Sequence, residues 1–300
     1  MGARRRTIAD LCAFAKSFGE DRIRSLAFVP ADGFSSAMRM FSSMLAFAVS
    51  VCGAAMAADV SVLDDPSLGG RDRYDNCLLL IRISPQRAFD AAATWETSGG
   101  DGAATHCAAL ALVALKRYAE AGTRLDQLAR NTGSNADRAQ LYDQAGNAWL
   151  LGRRAQEAQT SFTTALQLSP SDPDVLADRA RAFAMKANWQ AAESDLTAAL
   201  SRDPRRAEFL VLRASARHAL GRKQDARADI DLALRLEPNN VEALVERGEM
   251  KLEAGDQAGA RNDWQSVIDQ SPRSAAAADA KQHIDALNQP AANPAPKTTH

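Results

Sequence analysis

The sequence predicts an all-α solenoid built from helix-turn-helix hairpins, and three observations carry that prediction. Pro170, Pro204, Pro238 and Pro272 each stand 34 residues from the next, and a fixed interval of that length marks a repeat architecture. Cutting the chain at these prolines brings further columns into register. Small residues recur at Ala158, Ala192, Ala226 and Ala260, and a large apolar residue follows each at Phe162, Leu196, Ile230 and Trp264. Ala165, Ala199, Ala233 and Val267 follow, then Leu166, Leu200, Leu234 and Ile268. Within each unit the apolar residues keep helical spacing on both sides of a short turn.

The third clear unit shows the logic. Its first helix spans Ala207 to Leu220, with Phe209, Leu210 and Leu212 apolar and Ala214 and Ala216 small. Gly221 permits a tight reversal because a residue without Cβ reaches left-handed φ at little cost. A second helix runs from Lys223 to Leu236 and stops before Pro238, whose ring removes a backbone donor and clashes with the preceding turn. Asp172, Asn240 and Ser274 occupy one column as N-caps of the next unit, with Arg206 the exception. Gly152, Gly221 and Gly255 are expected to make the within-unit turns, and Lys186-Ala187-Asn188 takes that place in the second unit. The small column lets two helices approach closely, and no hairpin can bury its own apolar face, so the units must stack.

The clear units span residues 139–274. Upstream, residues 71–138 carry a weaker pattern of two degenerate pairs. One is His106 to Leu115 with Tyr118, Ala121, Leu125 and Leu128; the other is Tyr74 to Ile83 with Pro85 to Trp95. Ser84 is the expected cap of that last helix, with Pro85 at its first position. Ala121 precedes Ala158 by 37 residues, which predicts a short loop insertion within Asn131 to Asp137. Gly99-Gly100-Asp101-Gly102 reads as a loop between pairs. It is no phosphate cradle, having no preceding strand and no following Gly-Lys-Ser/Thr. Residues 275–288 are the expected capping helix, and 289–300, with three prolines, a disordered tail.

These columns resemble the tetratricopeptide repeat (TPR) family. The matching residues are Tyr142, Gly146, Trp149, Ala158, Phe162, Ala165 and Pro170 in the first clear unit. Leu176, Ala180, Phe183, Ala192, Leu196, Ala199 and Pro204 match in the second. Leu210, Ala214, Ala226, Ile230, Ala233 and Pro238 match in the third, and Leu244, Gly248, Ala260, Trp264 and Pro272 in the fourth. Arg217 and Lys251 replace the family's aromatic on the first helix, which predicts looser packing there. The resemblance implies a right-handed superhelix whose first helices line a concave, peptide-holding groove. By register that lining comprises Asp143, Asn147, Leu150, Ala177, Arg181, Ala184, Val211, Ser215, His218, Val245, Glu249 and Leu252. Asn147 matches an asparagine of the family's carboxylate-clamp subgroup. One helical turn earlier Asp143 replaces the expected lysine, which argues against grip on a chaperone's C-terminal carboxylate.

Phe41 to Ala58 carries no charge, follows Arg39 and ends in Ala55-Met56-Ala57. That is the pattern of a secretory signal peptide over 38–57, cleaved between Ala57 and Ala58. Residues 1–37 then read as a miscalled or disordered N-terminal extension and 58–70 as a linker. The alternative is an uncleaved inner-membrane anchor, since the stretch approaches the ~20 residues a span needs. Cleavage leaves Cys77 and Cys107, an even pair on successive first helices, and an oxidising compartment makes a disulfide between them the expectation. The exported compartment is read as the periplasm of a bacterium.

No motif assembles an active site. His106, His218, His283 and His300 are scattered without metal-ligand spacing. His106 beside Cys107 is no nucleophile pair, because adjacent helical residues diverge by roughly 100°. With 36 basic against 37 acidic residues the net charge is −1, so no basic footprint for nucleic acid exists. No cofactor is expected. The expected function is a non-catalytic scaffold for a protein or peptide partner. The alternatives are an anchored assembly factor for envelope machinery and an enzyme with an inter-unit site. Arg179, Arg213 and Arg247 each precede an aspartate by 16 residues, Asp195, Asp229 and Asp263, which predicts ion pairs within units rather than a ladder for an acidic ligand.

Overall fold

The structure, a computed structural model, describes residues 70–288. The expected extension, signal peptide with its Ala57–Ala58 junction, most of the linker and the C-terminal tail lie outside the described residues. Among those described, thirteen α-helices follow one another with no strand between them. They are α1 (Gly70–Ile83), α2 (Pro85–Thr97), α3 (Gly102–Ala114), α4 (Tyr118–Asn131), α5 (Asn135–Leu151), α6 (Ala155–Leu168) and α7 (Pro173–Met185). The remainder are α8 (Trp189–Arg202), α9 (Ala207–Ala219), α10 (Lys223–Leu236), α11 (Val241–Glu253), α12 (Gln257–Gln270) and α13 (Ala275–Asn288). Every helix pair in substantial contact is one or two apart in chain order, so the hairpins lean on their neighbours in a row.

Five within-unit turns share one geometry. A residue in the left-handed region ends the first helix: Lys116, Arg153, Ala187, Gly221 and Gly255, at φ between 56° and 88°. The next amide then reaches back five residues, as from Arg154 to Trp149 O (2.8 Å) and from Arg222 to Arg217 O (2.8 Å). This closure satisfies carbonyls that the helix end leaves orphaned. Gly152 is therefore not the turn residue expected of it. Its φ is −79° and Arg153 takes the left-handed position.

Two other local expectations need correction. The 37-residue step before Ala158 is not a loop insertion: α5 has 17 residues against 13 in α7, and the preceding loop shortens to Thr132–Ser134. Ser134 accepts from Asp137 N and starts that helix early. Ser84 occupies the cap position before Pro85, but its side chain makes no capping bond. Elsewhere Asp172, Asn240 and Ser274 cap as expected, and Arg206 contributes no side-chain cap.

The core runs along the seam between first and second helices. Ala158, Ala192, Ala226 and Ala260 and their partners Phe162, Leu196, Ile230 and Trp264 are all buried. Sizes are matched across the seam. A Cβ on Gly146 would stand 2.5 Å from the Phe162 ring, and one on Gly248 would enter the Trp264 indole. In register with these glycines stand Ala180 and Ala214, where the second helix offers the smaller Leu196 and Ile230. At the C-terminal end α13 packs Ala276, Ala277 and Ala280 inward and closes the stack. The N-terminal end is less covered: Leu79 and Ile83 on α1 are exposed.

Candidate functional site: the first-helix face

The repeated arginine and aspartate pair within their units, as the spacing predicts. Arg179, Arg213 and Arg247 each hold both carboxylate oxygens of Asp195, Asp229 and Asp263 at 2.8–2.9 Å. The aspartate side chains are only 6–10% exposed, so these are largely enclosed pairs. Arg217 adds a bond to Asp229 (2.7 Å) and Lys251 one to Asp263 (2.8 Å). The two residues standing where the family has an aromatic thus give the repeated acid a second cation. Glu193 of the preceding unit also bonds Arg217 (2.9 Å).

The predicted groove residues fall on first helices α5, α7, α9 and α11, but not all reach the surface. Ala177 and Val211 are fully buried between neighbouring helices and leave the lining. His218 is also buried, held by Glu246 (3.1 Å) and Glu253 (2.8 Å). Hydrogen bonding to Glu246 and then to Glu253 outweighs burial and raises its pKa. Asp143, Asn147, Leu150, Arg181, Ala184, Ser215, Val245, Glu249 and Leu252 remain half-buried on the face.

What sequence reasoning missed is that polar side chains bridge one unit to the next along this face. Tyr74 Oη meets His106 Nδ1 (2.6 Å), and His106 Nε2 meets Gln144 Oε1 (2.5 Å), tying α1, α3 and α5 together. The pattern fits a neutral imidazole that accepts from Tyr74 and donates to Gln144. Burial lowers the His106 pKa, in accord with that state, and pushes Tyr74 up to about 12. Asn147 donates to Asp178 (3.0 Å), Arg181 joins Asp178 to Glu208, and Ser215 donates to Glu246 (3.0 Å). His283 of α13 approaches Glu249 (3.5 Å). Gln144, Asp178 and Glu246 share one register position, whose fourth member is Leu212. Three buried polar residues in a column otherwise filled by leucine was the available signal.

Cys77 on α1 and Cys107 on α3 are joined as a disulfide, with Cα atoms 6.2 Å apart. Both are fully buried, in a small core with Ala91, Ala92 and Ala108. His106 therefore has both ring nitrogens engaged and no thiol beside it. Among the described residues no group of three metal-ligating side chains converges, and no helix is long and apolar enough to cross a membrane.

A tetratricopeptide repeat family model matches residues 177–241 and again 224–275. The TPR domain of Arabidopsis OM64 is 30% identical over 40% of this chain and 99% of that one, with a TM-score of 0.39. A tetratricopeptide repeat protein from Parabacteroides merdae superposes with a TM-score of 0.58 at 16% identity, covering 74% of this chain and 85% of that one. A chain of the APC/C hetero-tetramer Cut9-Hcn1 gives 0.57 at 14% identity, over 75% of this chain and 44% of that one. No curated protein matches the sequence. With 34-residue hairpins, matched seams and these likenesses together, the chain belongs to the tetratricopeptide repeat family.

Proposed function

We propose that the chain is a non-catalytic scaffold of the periplasm that holds a segment of a partner protein on its first-helix face. The observation that carries this reading is the composition of that face. Asn147, Arg181 and Ser215 on it are engaged in bridges between units, and Leu150, Ala184, Val245 and Leu252 stand half-buried among them. Half-covered apolar side chains on a surface fixed by such bridges offer area to a partner at low ordering cost. The Cys77–Cys107 bridge supports an oxidising compartment, in line with the charge-free stretch ending at Ala57. Its sulfur chemistry and the doubly bonded His106 also speak against catalysis by that pair.

The test is a pull-down from the native host's envelope fraction with wild-type protein and with Leu150→Arg/Leu252→Arg, combined with N-terminal sequencing of the cellular protein. The reading requires a partner retained by wild type and lost by the double variant while its helical content is unchanged. It also requires a chain that begins at Ala58; an intact segment upstream of Ala58 would favour the anchored assembly factor instead.

A further inference from the structure

Consecutive units close their junctions differently, and the difference leaves a cleft at the last one. Between α8 and α9 the carboxylate of Glu193 bridges Arg217 (2.9 Å) and Arg222 (2.6 Å). One repeat further on, between α10 and α11, the residue in Glu193's place is Arg227, and Lys251 stands in Arg217's place. Arg227 and Lys251, two like charges, now stand where Glu193 and Arg217 pair one unit earlier, and Asp256 stands in Arg222's place. A cleft of about 310 Å³ remains there, with Ile230 and Met250 at its apolar wall and Lys223, Arg227, Arg247 and Lys251 among its lining.

The acids that line the cleft are already committed. Glu253 is shared by His218 (2.8 Å) and Lys223 (2.9 Å), and Asp256 accepts from Gly259 N (2.8 Å) as the cap of α12. Asp263, beneath, holds Arg247 and Lys251. Arg227 is 76% exposed and its nearest carboxylate, Asp231, lies 3.9 Å away. The surplus of the lining is therefore cationic, and no carboxylate fills the place that Glu193 fills one unit earlier.

We infer that this cleft is a second docking site, which takes an acidic side chain from an extended segment of a partner protein. Its carboxylate sits between Arg227 and Lys251, the two cations brought together where Glu193 and Arg217 pair one unit earlier. A neighbouring apolar side chain of the segment covers Met250 and Ile230. The site is lined by residues of and beside the within-unit turns, and it meets the first-helix face at His218, which shares the register position of Leu150 and Leu252. Its occupant is set by charge complementarity, so its affinity falls as salt screens the exposed cations.

The probe is a fluorescein-labelled peptide of alternating Glu and Leu, followed by anisotropy with the purified protein and compared with its Gln/Leu counterpart. Arg227→Glu supplies the missing carboxylate from within and should weaken binding of the acidic peptide at least tenfold. Arg235→Glu makes the same change of net charge on the same helix outside the cleft, and should leave affinity within about twofold. An equal loss in both variants would mean diffuse charge attraction and overturn the site. So would absence of saturable binding by wild type, or binding of the Gln/Leu peptide with equal affinity. Displacement by millimolar inorganic phosphate as effective as by unlabelled peptide would reduce the cleft to a simple anion site and overturn the segment.

Discussion

Replacing Gly248 by alanine would test whether the seam between helices is matched in size unit by unit. The new Cβ would lie 2.8 Å from two further atoms of the Trp264 ring, Cδ1 and Cε2, closer than carbon atoms normally approach. Trp264 has nowhere to retreat, being fully buried, bonded through Nε1 to Val245 O (3.3 Å) and stacked on His283. Overpacking of this kind costs about 1–3 kcal/mol, while exchanging Gly for Ala inside a helix returns about 1 kcal/mol. The severity of the overlap puts the net loss near ~2 kcal/mol. Trp264→Leu alone leaves a void and costs ~3 kcal/mol. The double variant recreates the Ala180 and Leu196 combination of the second clear unit, so its loss should fall short of the sum by about 2 kcal/mol. Urea unfolding followed by far-UV circular dichroism gives all three values. Additivity within about 0.5 kcal/mol would refute the idea that glycine is there to admit the indole.

The enclosed ion pairs predict unequal losses along the array. Asp229→Ala strands Arg213 and also takes from Arg217 one of its two acids, leaving it Glu193, and should cost about 3–5 kcal/mol in chemical denaturation, more than Asp195→Ala, which strands Arg179 alone. His218 faces Glu246 and Glu253, with Lys223 beyond, and its folded pKa lies above the ordinary 6.5. Its stabilising contribution is complete below about pH 6.5 and is lost as pH rises through the raised value. The difference in melting temperature between wild type and His218→Gln should shrink over that window; a pH-independent difference would contradict it. Reduction of the Cys77–Cys107 bridge should destabilise α1 to α3 by about 2–4 kcal/mol, seen as faster amide exchange there and little change in α9 to α12.

The repeat and its seam were legible because residue size recurs at fixed positions, and size is what interhelical packing selects. The turn at Arg153 was not, because a left-handed residue with a side chain leaves no compositional mark, and Gly152 beside it drew the assignment. Asn135, Ala136 and Asp137 suggested a loop, yet Ser134 as a cap makes them the first turn of α5. For the candidate site the register placed each predicted residue on a first helix. It could not tell Ser215, half-buried there, from Val211 or Ala177, which are fully buried. The bridges of Asn147 to Asp178 and Ser215 to Glu246 depend on how far one hairpin is rotated against the next, and no spacing within a unit encodes that.

The account rests on the first-helix face as the place where a partner is held, and photo-crosslinking tests this most directly. A benzophenone amino acid would be placed in the native host at Leu150 or Leu252 on that face, and at Arg235 on the outer side of a second helix. The account predicts a discrete crosslinked partner from the first two positions and none from Arg235. Adducts of equal yield from all three, or from Arg235 alone, would contradict it.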